Sequence, residues 1–396
     1  MLVRNKVIAA LEAKKERFAG YQVDLRDTLE RYRAALERLP SLSREEIEAR
    51  FDQMELPWPG ARPTGEQDRL HDAVVSFGER WASHEGARAW ARETLFNTPI
   101  LAVDGSQIPP SRDFSLPVGA VQVGWFENPH APGGQYVKDL AFEVLAPDEL
   151  AEEAGDDSGS DFPDWRVNLR RFEMECRVIV EYIQAHANAN PAPLCFFDGS
   201  LVVSFTRHMR PNLRRAYVDA VIGMLRASQA GRAPLVGYVD TSFARDLVTM
   251  LQHLEGLPPA PRLSDGALLR TRMSWGDRSQ AYVCARDDNV LPEYGPQANQ
   301  VCFTYLKTTA DGSPARLEFP RWLAEDEAEL ERVLNLVRAE CVVGNGYPYA
   351  LETADAVAVI SLEDRERFYA TFQQFAEKEG LALRYSRKAL SKRGRR

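Results

Sequence analysis

Apolar residues recur at helical spacing through the first 95 positions: Leu2, Val7, Ile8, Leu11 and Phe18, then Leu25, Leu29, Tyr32 and Leu36, with charge on the remaining faces. Ser43 followed by Glu46 is a capping-box pattern that predicts another short helix. Thr64 with Gln67 predicts one more, running into Leu70, Val74, Val75 and Phe77. Between them, Pro57, Pro59, Gly60 and Pro63 predict a turn-rich connector that no helix crosses. The expected organisation is a helical arm over residues 1–97, an α/β region over 98–380 and a basic tail over 381–396.

At Thr98 the pattern changes. Pro99 to Val103 form an apolar run that meets Asp104, Gly105 and Ser106, which reads as a buried strand ending in a polar turn. Val118 to Phe126 and Gln135 to Val144 predict two further strands, joined through Asn128, Pro129, Pro132, Gly133 and Gly134. Ala151 to Asp161 is acidic and rich in Gly and Ser, so a mobile loop is expected there. Trp165 to Ala187 is helical in pattern, and Leu194 to Phe197 is a short strand that again meets Asp-Gly-Ser at Asp198 to Ser200. A helix from Leu213 to Ala227, a strand from Leu235 to Val239 and a helix from Ala244 to Leu254 continue the alternation. Leu268 to Leu317 is β-rich, Glu327 to Val343 helical, Gly344 to Leu351 a loop, and Ala356 to Ile360 a last strand or helix segment before the helix from Asp364 to Gly380.

The repeated apolar run followed by Asp-Gly-Ser is the strongest chemical signal. A buried strand delivers its last side chain to the carboxyl edge of the sheet, where open α/β sheets bind ligands. Asp104 and Asp198 at such ends could share a hard divalent cation, because Mg²⁺ and Mn²⁺ favour carboxylate oxygens and can clamp a phosphodiester. Taken singly, each Asp-Gly-Ser reads first as a turn; only the pair at matching strand ends brings the metal reading level with it. Three strands, a helix and a fourth strand, with acids on the first strand, the helix and the fourth strand, is the layout of a ribonuclease-H-like core. The helix offers Glu173, Glu175 and Glu181. At about 100° per residue, Phe172, Cys176, Ile179 and Ile183 form its apolar stripe; Glu175 borders that stripe, Glu181 points away, and Glu173 lies beyond the other edge. Glu175 is the leading candidate, its two neighbours the alternatives. Arg207, His208, Arg210, Arg214 and Arg215 follow the second Asp-Gly-Ser and are candidates for holding a phosphate backbone, a solvated helix face being the plain alternative. Asp240 either joins the acids or caps the following helix, and Asp265 reads as a turn residue.

Composition narrows the classes. Of 396 residues, 44% are hydrophobic and 27% charged, which fits a folded globular protein. The 49 basic against 58 acidic residues, net −9, exclude a purely electrostatic nucleic-acid binder, so any such contact is local. The run from Arg384 to Arg396, with seven basic residues and no acid, is the one obvious basic segment. No stretch reaches the ~18 apolar residues of a membrane span, and Met1 to Arg17 lacks a signal-peptide core, so the cytoplasm is the expected compartment. The five cysteines lie far apart with no CxxC pair, which argues for buried thiols rather than zinc or disulfides. Neither a Gly-x-Ser-x-Gly elbow nor a Walker-type loop occurs, so a serine hydrolase or an autonomous ATPase lacks support.

Leu101-Ala-Val-Asp-Gly-Ser106, Phe196-Phe-Asp-Gly-Ser-Leu201 and Gly346-Tyr-Pro-Tyr-Ala-Leu-Glu-Thr-Ala-Asp355, in that order, resemble the NurA nucleases over about Pro99 to Ile360. The resemblance implies an α/β, ribonuclease-H-like core with a mixed central sheet flanked by helices. It also implies manganese-dependent (or magnesium-dependent) DNA cleavage, as 5′–3′ exonuclease and single-strand endonuclease, in end resection for double-strand break repair. The implied assembly is a homodimer with a central channel, working with a HerA-type hexameric ATPase. By motif, Asp104, Glu175 and Asp198 take the places of metal-binding acids and Tyr347 that of an active-site tyrosine. Asp355 stands where archaeal members commonly carry histidine, and aspartate is itself a suitable hard-ion ligand. The competing reading is a non-catalytic nucleic-acid-binding or assembly subunit of the same fold.

Overall fold

The computed structural model describes residues 2–111, 113–151 and 164–384. The acidic segment from 152 and the basic tail beyond Arg384 therefore lie outside the described residues. The chain forms two compact units, Met1–Arg80 with Val239–Glu327, and Trp81–Tyr238 with Ala328–Arg396. These units do not follow a division at residue 97: the N-terminal segment shares a unit with a stretch more than 150 residues downstream.

The chain begins in the first unit with α1 (Arg4–Glu12), α2 (Lys15–Arg38), α3 (Arg44–Gln53), β1 (Gly60–Pro63), the single turn α4 (Glu66–Arg69) and β2 (Val74–Val75). Ser43 and Glu46 close the expected capping box on α3, Ser43 Oγ accepting from the Glu46 N–H and the Glu46 carboxylate from the Ser43 N–H. Two expectations fail here. The Pro/Gly connector contains a strand, tolerated because β1 is an edge strand whose Pro63 has no ladder bond to lose on the open side. The helix expected after Thr64 stops at Arg69, and Val74–Val75 pair with a strand instead. The apolar stripe of α1 is exposed throughout, with Leu2 at 82% and Leu11 at 54%.

The second unit follows: α5 (His84–Leu95), β3 (Ile100–Ile108), β4 (Gly119–Asn128), β5 (Val137–Leu145), the turn α6 (Pro147–Leu150), α7 (Asp164–Ala185), β6 (Leu194–Asp198), α8 (Pro211–Gly231) and β7 (Leu235–Val239). The chain then completes the first unit with α9 (Asp246–Glu255), α10 (Asp265–Leu269), β8 (Arg278–Ser279), β9 (Tyr282–Ala285), β10 (Val301–Leu306), β11 (Ala315–Pro320) and α11 (Arg321–Ala324). It ends with α12 (Glu327–Val343), α13 (Tyr349–Ala358) and α14 (Leu362–Lys378). In the first unit β1, β9, β10 and β11 are successive antiparallel neighbours.

In the second unit the strands lie in the order β5-β4-β3-β6-β7, which is 3-2-1-4-5 in the unit's own count. β3 runs antiparallel to β4 and parallel to β6, and β6 parallel to β7. This is a mixed sheet, and its two faces carry different helices. A Cβ built on Gly105 would meet Glu175 and Arg171 of α7, whereas one on Gly124, the register partner of Asp104, would meet Val357 and the Ala358 backbone at 2.8 Å. Adjacent strand residues face opposite ways, so α7 covers one face and α13 the other. All five cysteines are buried without forming a disulfide. No helix among the described residues is long and apolar enough to cross a membrane.

Candidate active site

The first Asp-Gly-Ser is not a turn. β3 continues through it, pairing Asp104 with Gly124, Gly105 with Val123 and Ser106 with Gln122. On its other edge, the parallel ladder with β6 stops at Val103 opposite Phe197. Asp104 and Asp198 are the next residues on the two strands, so both leave the sheet on the same face, at neighbouring strands about 4.8 Å apart. Only the second Asp-Gly-Ser turns, with Gly199 at φ +145°. Gly237 on β7 makes room for it, since a Cβ there would lie 2.6 Å from the Gly199 carbonyl oxygen.

Gly105 is a glycine for clearance rather than for turning. The Glu175 carboxylate occupies the space where a residue-105 side chain would begin, 2.4 Å from that Cβ position. Glu175 is buried, while Glu173 is half-buried and Glu181 exposed. The Glu175 carboxylate pairs with Arg171 one turn back on α7, and Arg171 Nη1 also donates to the Gly105 carbonyl at 3.4 Å. Burial pushes Glu175 up to about 7 against the pull of Arg171, with Asp104 and Asp198 adding repulsion.

The third contribution comes from the C-terminal segment. Tyr347 Oη donates to Asp198 Oδ1 at 3.4 Å, and its ring stands edge-on to Tyr238 at 5.2 Å. A Cβ on Gly344 would lie 2.1 Å from the Tyr347 carbonyl oxygen, so the turn preceding Tyr347 closes only around glycine. Residues 344–348 form the loop expected there, and the helix α13 follows from Tyr349, with Pro348 as its N-cap, taking in the last residues read as loop and most of those read as strand or helix. It carries Asp355 over β3. Burial first, then the charges of Asp198 and Asp355 and a hydrogen bond with Asp355, raise Asp104 to about 6. Asp104, Glu175, Asp198, Tyr347 and Asp355 are thus all brought to one neighbourhood of the second unit.

The donor set is all oxygen and carries excess negative charge, which fits a hard divalent cation. As the side chains stand, no three acidic, histidine or cysteine groups among the described residues converge into a cation cage. The ion pair that turns Glu175 toward Arg171 accounts for one missing donor.

A model of the NurA domain matches residues 98–360. The chain belongs to the NurA family. The crystal structure of the NurA nuclease from Sulfolobus solfataricus is similar with a TM-score of 0.54 at 12% identity, covering 96% of this chain and 98% of that one. A structure of NurA with manganese has a TM-score of 0.41 at 11% identity, with 70% and 89% covered, and one of NurA bound to dAMP and manganese 0.34 at 12%, with 68% and 86% covered. No curated protein sequence matches the chain.

Within this NurA domain the basic residues after Asp198 are partly engaged with one another. Arg207 Nε donates to His208 Nε2 at 2.8 Å, Arg214 Nη1 to the Arg207 carbonyl at 3.3 Å, and Arg215 pairs with Asp219 at 2.6 Å; Arg210 stands at the start of α8. Asp240 belongs to the other unit, where it accepts from the Thr241 hydroxyl at 3.2 Å. It does not cap α9. That task falls to Asp265, which is no turn residue: it is fully buried at the start of α10 and accepts from the Leu247 and Val248 N–H groups. Sequence reasoning missed Arg171 and the role of Gly105; the i, i+4 spacing of Arg171 and Glu175 was the available signal.

Proposed function

We propose that this chain is a divalent-cation-dependent deoxyribonuclease that works best with manganese and accepts magnesium. The observation that carries this is the closeness of Asp104 to Asp198 and Asp355, and of Glu175 to Asp104 and Asp198, near enough for their charges to act on one another. Family membership supports a nuclease. When bound, the cation supplies Lewis-acid stabilisation of the charge that builds up on a phosphodiester under attack by water.

The protein's own groups divide the remaining work. Asp104 and Asp198 would hold the cation at the edge of the sheet, and Asp355 would complete the set from α13. Glu175 would join by releasing Arg171, whose guanidinium then faces a substrate phosphate, a geometry arginine serves well. Tyr347 orients Asp198 through its hydroxyl. Arg207, His208, Arg210, Arg214 and Arg215 would hold the strand through its phosphates.

The wider reading is a cytoplasmic homodimer that acts as a 5′–3′ exonuclease and single-strand endonuclease in the resection of DNA ends. A HerA-type hexameric translocase would provide the motion that a chain without a phosphate loop does not generate. The exposed stripe of α1 supports such contacts, since it has apolar surface to bury. One observation favours the alternative of a non-catalytic subunit: the Arg171 pairing of Glu175 neutralises a donor. The deciding experiment is degradation of linear DNA with manganese. Wild type should cleave and Asp104→Ala, equally folded, should not; a wild-type protein inert with manganese and magnesium would leave the non-catalytic reading.

A further inference from the structure

At the other end of β3 from the carboxylates lies a cavity of about 600 Å³. Its wall includes Asn128, the register partner of Ile100 at the start of β3, so it sits about 13 Å along the strand from Asp104. None of the catalytic groups proposed above lines it.

Arg88 and Arg92 of α5 form one side. Four residues apart, they leave the helix on the same side. Both are exposed, and neither has an ion-pair or hydrogen-bond partner among the described residues. Beside them stand two aromatic rings open to solvent, Phe96 at 53% exposure and Tyr349 at 38%. Tyr349 is braced edge-on against Phe126 at 5.9 Å, so its ring is fixed rather than loose.

The floor is polar and rigidly held. His130 Nδ1 lies 2.9 Å from the Thr98 carbonyl oxygen, which leaves Nε2 turned to the Glu340 carboxyl at 3.6 Å. Glu340 is almost wholly buried, and its second oxygen accepts the Ala350 N–H at 2.7 Å. Burial pushes this carboxyl up to about 7 and lowers His130, so the floor carries little net charge near neutrality.

We propose that this cavity holds one nucleotide of a single-stranded DNA substrate, its phosphate on Arg88 and Arg92, its base against Phe96 and Tyr349, and its polar edge above His130 and Glu340. Two arginines without a partner among the described residues call for an anion, two exposed aromatic rings for a flat ring, and a weakly charged floor for hydrogen bonding rather than for a second cation. A nucleotide unites all three, and the volume lies within the usual range for small-ligand sites. The inference rests on the DNA reading above, yet concerns binding remote from the carboxylates.

The test is fluorescence anisotropy of a labelled single-stranded oligodeoxynucleotide with the full chain in EDTA, titrated with salt. Arg88→Ala with Arg92→Ala should weaken binding about tenfold or more and flatten the salt dependence by one to two phosphate contacts, roughly 0.7 in slope for each. Phe96→Ala should weaken binding about tenfold with the slope unchanged, as loss of stacking does. Arg4→Ala with Lys6→Ala on α1 controls for net charge. Affinity and slope of the arginine variant equal to those of this control would overturn the proposal, as would a Phe96 variant that binds like wild type. Because no cation and no cleavage enter the readout, an inert protein that loses DNA binding in these variants retires the nuclease reading alone.

Discussion

In the first unit Asp246, Asp265 and Glu318 are buried with Arg316, beside the half-buried Arg286, and every charge has a partner. Arg316 reaches Asp246 at 2.8 Å and Glu318 at 2.7 Å while its guanidinium lies 3.9 Å over the Phe303 ring; Arg286 meets Asp246 at 2.7 Å. Those arginines hold Asp246 below the usual carboxylate range despite full burial, while burial and the Asp246 charge push its neighbour Asp265 up to about 6. In the second unit Arg171 pairs with Glu175, and burial with mutual repulsion among the acids drives Asp104 and Glu175 upward instead. Acids that are buried and balanced serve the fold. Acids brought together without balance cost stability, a cost that a bound cation would offset.

The comparison breaks most sharply by mutation. Asp198→Ala should lower manganese-dependent cleavage by more than about a hundredfold, with a melting temperature no lower than that of wild type; near-normal cleavage would remove Asp198 from the cation set. Arg316→Met should do the reverse, costing about 3–5 kcal/mol in a denaturant titration because it strands buried carboxylates, while cleavage per folded molecule stays at the wild-type level. Gly105→Ala sharpens the contrast within one site. The atoms it strikes are the buried Glu175 carboxylate and the Arg171 Cγ, so stability should fall by about 1–3 kcal/mol. Displacing Glu175 should nonetheless cost about tenfold in the manganese concentration required, measured by titrating activity.

The smallest effect concerns pH. Asp104 and Glu175, held at about 6 and 7, bind protons more tightly in the folded chain than in the unfolded one. Without a cation, their contribution to stability therefore falls as pH climbs from about 4 through 7. Manganese at a hundred times its Kd should return about 2.7 kcal/mol, and the rise in melting temperature should be larger near pH 8 than near pH 5. Equal rises at both pH values would mean that the acids do not bind the ion.

Much of this was legible in the chain. The apolar runs from Pro99 and Leu194 gave the strands, and the stripe of Phe172, Cys176, Ile179 and Ile183 separated Glu175 from Glu181 by burial. What misled were residues whose usual meaning was overridden by context. Asp and Gly at 104 and 105 are turn formers by habit, but here the antiparallel partner β4 carries the strand through them. Pro and Gly at 60–63 concealed β1, because an edge strand tolerates what a central one does not. The shared unit of residues 1–80 and 239–327 left no local trace at all, since it depends on pairings such as Gly60 with Ala285 that no window of sequence spans.

The close seat of α13 on Gly124 has a mechanical consequence. With the Ala358 nitrogen 2.8 Å from where a methyl group would sit, the helix rests on the bare backbone of β4 at a point one turn past Asp355. Any side chain at 124 would act as a wedge under the far end of a lever, lifting Asp355 from Asp104 while Tyr347, ahead of the helix, stayed beside Asp198. One methyl group in the middle of a strand could thus open one side of the site and leave the other closed.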